Sequence, residues 1–103
     1  MSRIFVLVKD LLFKSKIAET AKLLEKEIVF VEDIYSIKNP TTIIADLEAF
    51  GLEGLHKLKE ENPSLRILGF LSHKNIDLIT RARIVEIEVF PRSIFFQRLG
   101  EIL

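Results

Sequence analysis

The chain has no cysteine and no tryptophan among its 103 residues. Without cysteine there is no disulfide and no thiolate metal centre, so a fold of this size must be held by apolar burial alone. That absence also suits a reducing compartment. An excess of either charge is missing too: fifteen Lys and Arg balance fifteen Asp and Glu. No global field therefore draws the protein towards phosphate backbones or anionic lipid, which argues against nucleic-acid and membrane partners. Long hydrophobic runs are lacking, since Ile4-Phe5-Val6-Leu7-Val8 falls far short of the roughly 20 residues a membrane helix needs. The charged residues that follow it, Lys9, Asp10, Lys14 and Lys16, break any cleavable signal pattern, so a cytoplasmic location is expected.

Glycine is scarce, and Gly51-Leu52-Glu53-Gly54 has neither the spacing nor the lysine of a phosphate-cradling loop. The loop after the first strand offers a single serine between Lys9 and Ser15, too little hydroxyl for a flavin phosphate. There are two histidines. His56 lies among Lys57, Lys59 and Glu60 as a surface residue would, and neither it nor His73 has the companions of a zinc site or a Ser-His-Asp triad.

What the chain does have is 49% hydrophobic residues in a repeating order. Residues 4–8 are a continuous β-branched and aromatic run, the pattern of a strand covered on both faces. From Leu11 to Glu27, Phe13, Ile17, Ala21 and Leu24 recur at helical spacing. A second short run, residues 28–31, leads to Asn39-Pro40, where helix is disfavoured. Residues 41–45 form a third buried strand closed by Asp46, and Leu52, Leu55 and Leu58 stripe a helix that Pro63 ends. Residues 67–71 repeat the buried-strand pattern, and Asn75 is placed to cap the next helix. Residues 84–90 alternate, with Glu86 and Glu88 between Val85, Ile87 and Val89, as an edge strand would. Ser93 opens a last helix through Ile94, Phe95, Leu99 and Ile102.

Strands alternating with helices predict a single α/β domain over residues 1–103: a three-layer, doubly wound parallel sheet of five strands in the flavodoxin-like order 2-1-3-4-5. The short span between strands two and three leaves the second helix missing or a single turn. In such sheets ligands bind outside the carboxyl ends of the strands, where strand order reverses. Asp10 and Asp46 sit there. Two carboxylates in one crevice can hold Mg²⁺ weakly, or each can cap a helix. For Asp46 a functional role is favoured because no helix is expected directly after it, and its carboxylate could accept a phosphoryl group as a nucleophile.

The segment Ile43-Ile44-Ala45-Asp46-Leu47, then Gly51-Leu52-Glu53-Gly54-Leu55, then residues 67–72, resembles the CheY-like receiver domain of two-component response regulators. The resemblance implies that Asp46 is the phosphoacceptor, that Gly54 belongs to the opening of the third helix, and that Ser72 contacts the phosphoryl group. It also aligns Phe90-Pro91 with the family's Lys-Pro pair, whose peptide bond is usually cis. Departures from the pattern are informative. Receivers end strand one with two acids, whereas here Lys9 precedes Asp10, which lowers metal affinity and leaves Lys9 to pair with Asp46. The lysine that senses the phosphoryl group is replaced by Phe90, and Arg92, behind a proline, is not expected to reach back.

The expectation is a divergent, stand-alone or pseudo-receiver domain acting in signal transduction through protein–protein contact, with phosphorylation impaired or absent. It is not expected to be an enzyme beyond self-phosphorylation from a phosphodonor. The cofactor is none, or Mg²⁺ weakly through Asp10 and Asp46; the alternative is a Mg²⁺-dependent phosphoacceptor using Asp46. Arg81, Arg83, Arg92 and Arg98 fall in the last helix-strand-helix stretch, the face receivers use for partners. Consecutive Phe95 and Phe96 cannot both lie on one buried helical stripe, so one is expected at the surface, with Arg92, Phe95 and Phe96 forming a homodimer or partner interface.

Overall fold

A computed structural model describes residues 3–103. The elements run β1 (Ile4–Leu7), α1 (Leu11–Leu23), β2 (Ile28–Phe30), β3 (Thr42–Asp46), α2 (Leu47–Phe50), α3 (Glu53–Glu61), β4 (Arg66–Leu71), α4 (Ile76–Ile84), β5 (Glu88–Pro91), α5 (Arg92–Gln97) and α6 (Leu99–Ile102). All strand pairs are parallel, in the order β2-β1-β3-β4-β5. Between β2 and β3 there is only a 3₁₀ turn, Ile34–Ser36, which Asp33 caps through Ser36 N–H. The crossover thus lacks its helix, as the eight residues between Val31 and Pro40 suggested.

The continuous apolar strands divide by parity, because successive side chains in a strand point to opposite faces. Phe5, Leu7, Ile43, Ala45, Ile67 and Leu71 pack on one face with Leu47, Leu55 and Ala82 from α2, α3 and α4. Ile4, Val6, Val8, Ile44, Leu68 and Phe70 pack on the other with Ile17, Phe95 and Leu99 from α1, α5 and α6. No charged or polar side chain is buried among the described residues. The sheet is therefore a dry partition between two cores, and its three inner strands carry most of both.

Gly69 lies on the first of these faces, in the middle of β4. A Cβ there would come within 2.6 Å of Leu47 Cδ1 and 2.7 Å of its Cγ. Only a bare backbone lets α2 settle so closely on the strand.

Three boundaries differ from the pattern. The expected strand over residues 84–90 begins only at Glu88, because α4 ends in a Schellman motif: Glu86 takes φ 62°, its N–H reaches Arg83 C=O, and Ile87 N–H reaches Ala82 C=O. The same closure ends α1 early, with Glu25 at φ 55° and Lys26 N–H on Ala21 C=O. The last helix is split at Arg98, which caps α5 and opens α6. Leu47–Phe50 forms a helical turn that the sequence pattern did not indicate.

Candidate functional site

The carboxyl ends of β1 and β3 lie side by side, Leu7 opposite Ala45, so the loops that follow them open onto one crevice. Asp10 caps α1, its Oδ1 accepting from Leu12 N–H at 2.8 Å and Phe13 N–H at 3.1 Å. Asp46 caps α2 in the same way, accepting from Glu48 N–H at 3.2 Å and Ala49 N–H at 3.3 Å. This corrects the expectation that no helix follows Asp46. The carboxylate meets two of the backbone donors that every helix start leaves unpaired, and Gly51, at φ 75°, ends the turn after four residues. Lys9 does not pair with Asp46 either: its ammonium stands 5.3 Å from the centre of the Phe50 ring, and no ion pair joins the two among the described residues.

The densest polar arrangement forms around Glu48, in the first turn of α2. Its Oε1 accepts from Ser72 N–H at 3.0 Å and from Arg92 Nη2 at 2.8 Å, and its Oε2 accepts from Asn75 Nδ2 at 3.2 Å. These contacts bridge the loops after β3, β4 and β5. The Asn75 amide above all, then the Ser72 N–H and the Arg92 charge, hold the Glu48 carboxyl below the usual carboxylate range, against an opposing effect of burial. Arg92 therefore does reach back across the crevice, contrary to expectation, but to Glu48 rather than to Asp46. Pro91 sits at the end of β5 and fixes the extended backbone that aims it there. Glu48 escaped the sequence reading because a glutamate beside a strand end looks like any solvated helix residue. The one available signal was its position two residues past Asp46, opposite the Ser72 loop.

Ser72 contributes its backbone N–H to Glu48, while its Oγ accepts from Lys74 N–H at 3.3 Å. His73 is exposed in the same loop. Phe90 packs half-buried against the second core cluster, so an apolar ring stands at the position of the family's lysine. Phe90–Pro91 is trans, since the described residues contain no cis peptide.

Phe95 corrects the sequence reading, whereas Phe96 is the one of the pair that keeps a surface. Phe95 is fully buried against Phe70, and Phe96 is half-buried, stacked on Phe13 with ring centres 4.5 Å apart. Both find apolar partners because Phe13, near the start of α1, extends the core over the flank of α5. The exposed apolar residue of α5 is Ile94 instead.

The oxygen donors do not make a good Mg²⁺ cage. Asp10 and Asp46 each spend one oxygen on capping, Lys9 stands where a second acid would be needed, and Glu48 is committed to three other partners. Among the described residues no group of three or more histidines and acids converges with metal-binding geometry. An ion that demands an octahedron of oxygens has little to hold it here.

Five parallel strands in the order 2-1-3-4-5 with helices on both faces and a crevice between the first and third define a flavodoxin-like α/β protein. Solved structures narrow this to the receiver fold of response regulators. The chain superposes on NtrX from Brucella abortus with a TM-score of 0.80 at 18% identity, covering 99% of this chain and 26% of that one. On the phosphorylated cyanobacterial phytochrome response regulator RcpA the TM-score is 0.76 at 18% identity, with 98% and 90% covered. On the chemotaxis response regulator CheY4 of Vibrio cholerae it is 0.74 at 13% identity, with 100% and 99% covered. The chain thus spans about a quarter of NtrX and nearly all of the two single-domain regulators. No protein-family profile and no curated sequence matches the chain.

Proposed function

We propose that the protein is a signalling domain of receiver fold that acts by binding another protein, with its crevice held in one state by an internal ion pair instead of being switched by phosphorylation. The observation that carries this reading is Glu48. Its carboxylate takes the Ser72 N–H and the Arg92 guanidinium together, two groups suited to a phosphoryl oxygen: a backbone donor and a nearby fixed cation. A phosphoryl group on Asp46 would have to displace that carboxylate. It would also lack the divalent ion and the strand-five lysine that neutralise it in receivers, since Lys9 and Phe90 stand at those positions.

With Phe95 buried and Phe96 half-covered by Phe13, recognition of a partner or of a second copy would fall on the outer surface of α4, β5 and α5, where Ile94 is exposed. The test of the crevice is direct. Amide spectra recorded with Mg²⁺ and beryllofluoride are expected to stay unchanged at Asp46 and Ser72. Large shifts at both residues would establish a competent phosphoacceptor and overturn the reading.

A further inference from the structure

Beside the Glu48 network lies an open cleft of about 730 Å³ between α1, the β4–α4 loop and α5. Three cationic side chains line it: Lys16, Lys74 and Arg92. No carboxylate does, although acids and bases are equally numerous in the chain. Ser72 and Ser93 add hydroxyls, and the stacked rings of Phe13 and Phe96 form the floor.

Two of the cations are braced before any ligand arrives. Arg92 is tied to Glu48 through Nη2, its guanidinium carbon lies 5.8 Å from the centre of the Phe13 ring, and its Nε–H is buried with no acceptor. The Lys16 ammonium stands 6.0 Å from the centre of the Phe96 ring. Stacking on an aromatic face favours the cation and restricts its rotamers, so less ordering remains when an anion binds. Glu48 cancels one of the three charges locally, which leaves a net positive site with donors of several kinds on three sides.

We infer that this cleft binds a small phosphate-bearing molecule, its anionic group held by Arg92, Lys16 and Lys74 and by the hydroxyls of Ser72 and Ser93. Dianionic oxygens match a lining that carries cations and hydroxyls but no carboxylate, and a guanidinium held in place can meet two of them at once. The site does not depend on whether Asp46 accepts a phosphoryl group.

Pyrophosphate and inorganic phosphate are the probes, titrated separately into the full chain at fixed ionic strength and followed by amide spectra. Saturable shifts are expected at Lys16, at residues 72–74 and at residues 92–96. Tighter binding of pyrophosphate points to a phosphate ester or anhydride as the ligand, and equal binding points to free phosphate. The double variant Lys16→Glu/Lys74→Glu reverses two exposed side chains, so the fold should persist, and binding should weaken about tenfold or more, the equivalent of roughly 1.4 kcal/mol. Lys26→Glu/Lys57→Glu makes the same change in net charge away from the cleft and should leave binding intact. Shifts that fail to saturate, or equal losses in the two double variants, would refute the site.

Discussion

Replacing Gly69 with alanine tests the tightest packing in the molecule. The new methyl would overlap Leu47 at Cδ1, Cγ and Cδ2, with separations of 2.6, 2.7 and 2.9 Å. Leu47 is 1% exposed, so its branch has no empty space to rotate into. Overpacking a filled core costs about 1–3 kcal/mol, and overlap with the branch carbon and both methyls of a buried side chain belongs in the upper half of that range. Against it stands the gain of about 0.5–1 kcal/mol from removing a glycine from a strand interior. The net expectation is a loss of about 1–2.5 kcal/mol, which for a domain of this size lowers the melting temperature by roughly 4–20 °C. Urea titrations followed by circular dichroism should show a lower midpoint with an unchanged slope. The cause can be isolated with Leu47→Ala, which alone should cost about 2–5 kcal/mol. Combined with Gly69→Ala it should cost less than the sum by about 2–3 kcal/mol, the full overpacking cost, because the branch that clashes is gone. A Gly69→Ala protein as stable as the parent, or simple additivity in the double variant, would refute the argument.

Two further expectations concern the crevice. Asp46→Ala removes the cap of α2 and should destabilise the fold by about 0.5–2 kcal/mol, whereas Asp46→Asn, which caps equally well, should be near neutral; equal losses in chemical denaturation would mean that charge, not capping, is what Asp46 contributes. Glu48 titrates below its ordinary value in the folded chain, so the stability it adds is fully present above the unfolded carboxyl value of about 4.3 and is lost as pH falls through the lower folded value. The difference in urea midpoint between the parent and Glu48→Gln should therefore shrink as pH falls below about 4, and a difference that stays constant down to full acid would show that the network contributes nothing through charge.

Much of the fold could be read from the residues because β1, β3 and β4 are covered on both sides. A strand with two buried faces is apolar at every position, and that pattern is hard to mistake. The errors sit where a short local motif outweighed periodicity. Val85, Glu86 and Ile87 alternate as a strand does, yet a left-handed glutamate closes α4 there. Gly51, at φ 75°, ends a helical turn that no periodic stripe marked. At the crevice, Asp10 and Asp46 were placed at the right strand ends, but the alternation of apolar and polar residues says nothing about which carboxylate meets Arg92. That depends on a four-residue turn whose existence rests on one capping oxygen and on the missing side chain of Gly69. Phe96 is half-covered for a related reason: a helical stripe considers one neighbour, and Phe13 supplies a second from another helix.

The crossover without a helix has a consequence for how the molecule breathes. Ile28 and Val29 are only half-buried and Phe30 is exposed, so β2 has little apolar cover and a single neighbouring strand. Regions with few buried contacts open locally long before a domain unfolds. Fraying at this edge leaves β1 paired to β3, and β3 to β4. The loops that hold Asp10, Asp46, Glu48 and Ser72 spring from those three strands. The crevice is thereby insulated from the loosest part of the sheet, and amide exchange at β2 can run fast while the ion pair across the strand ends persists.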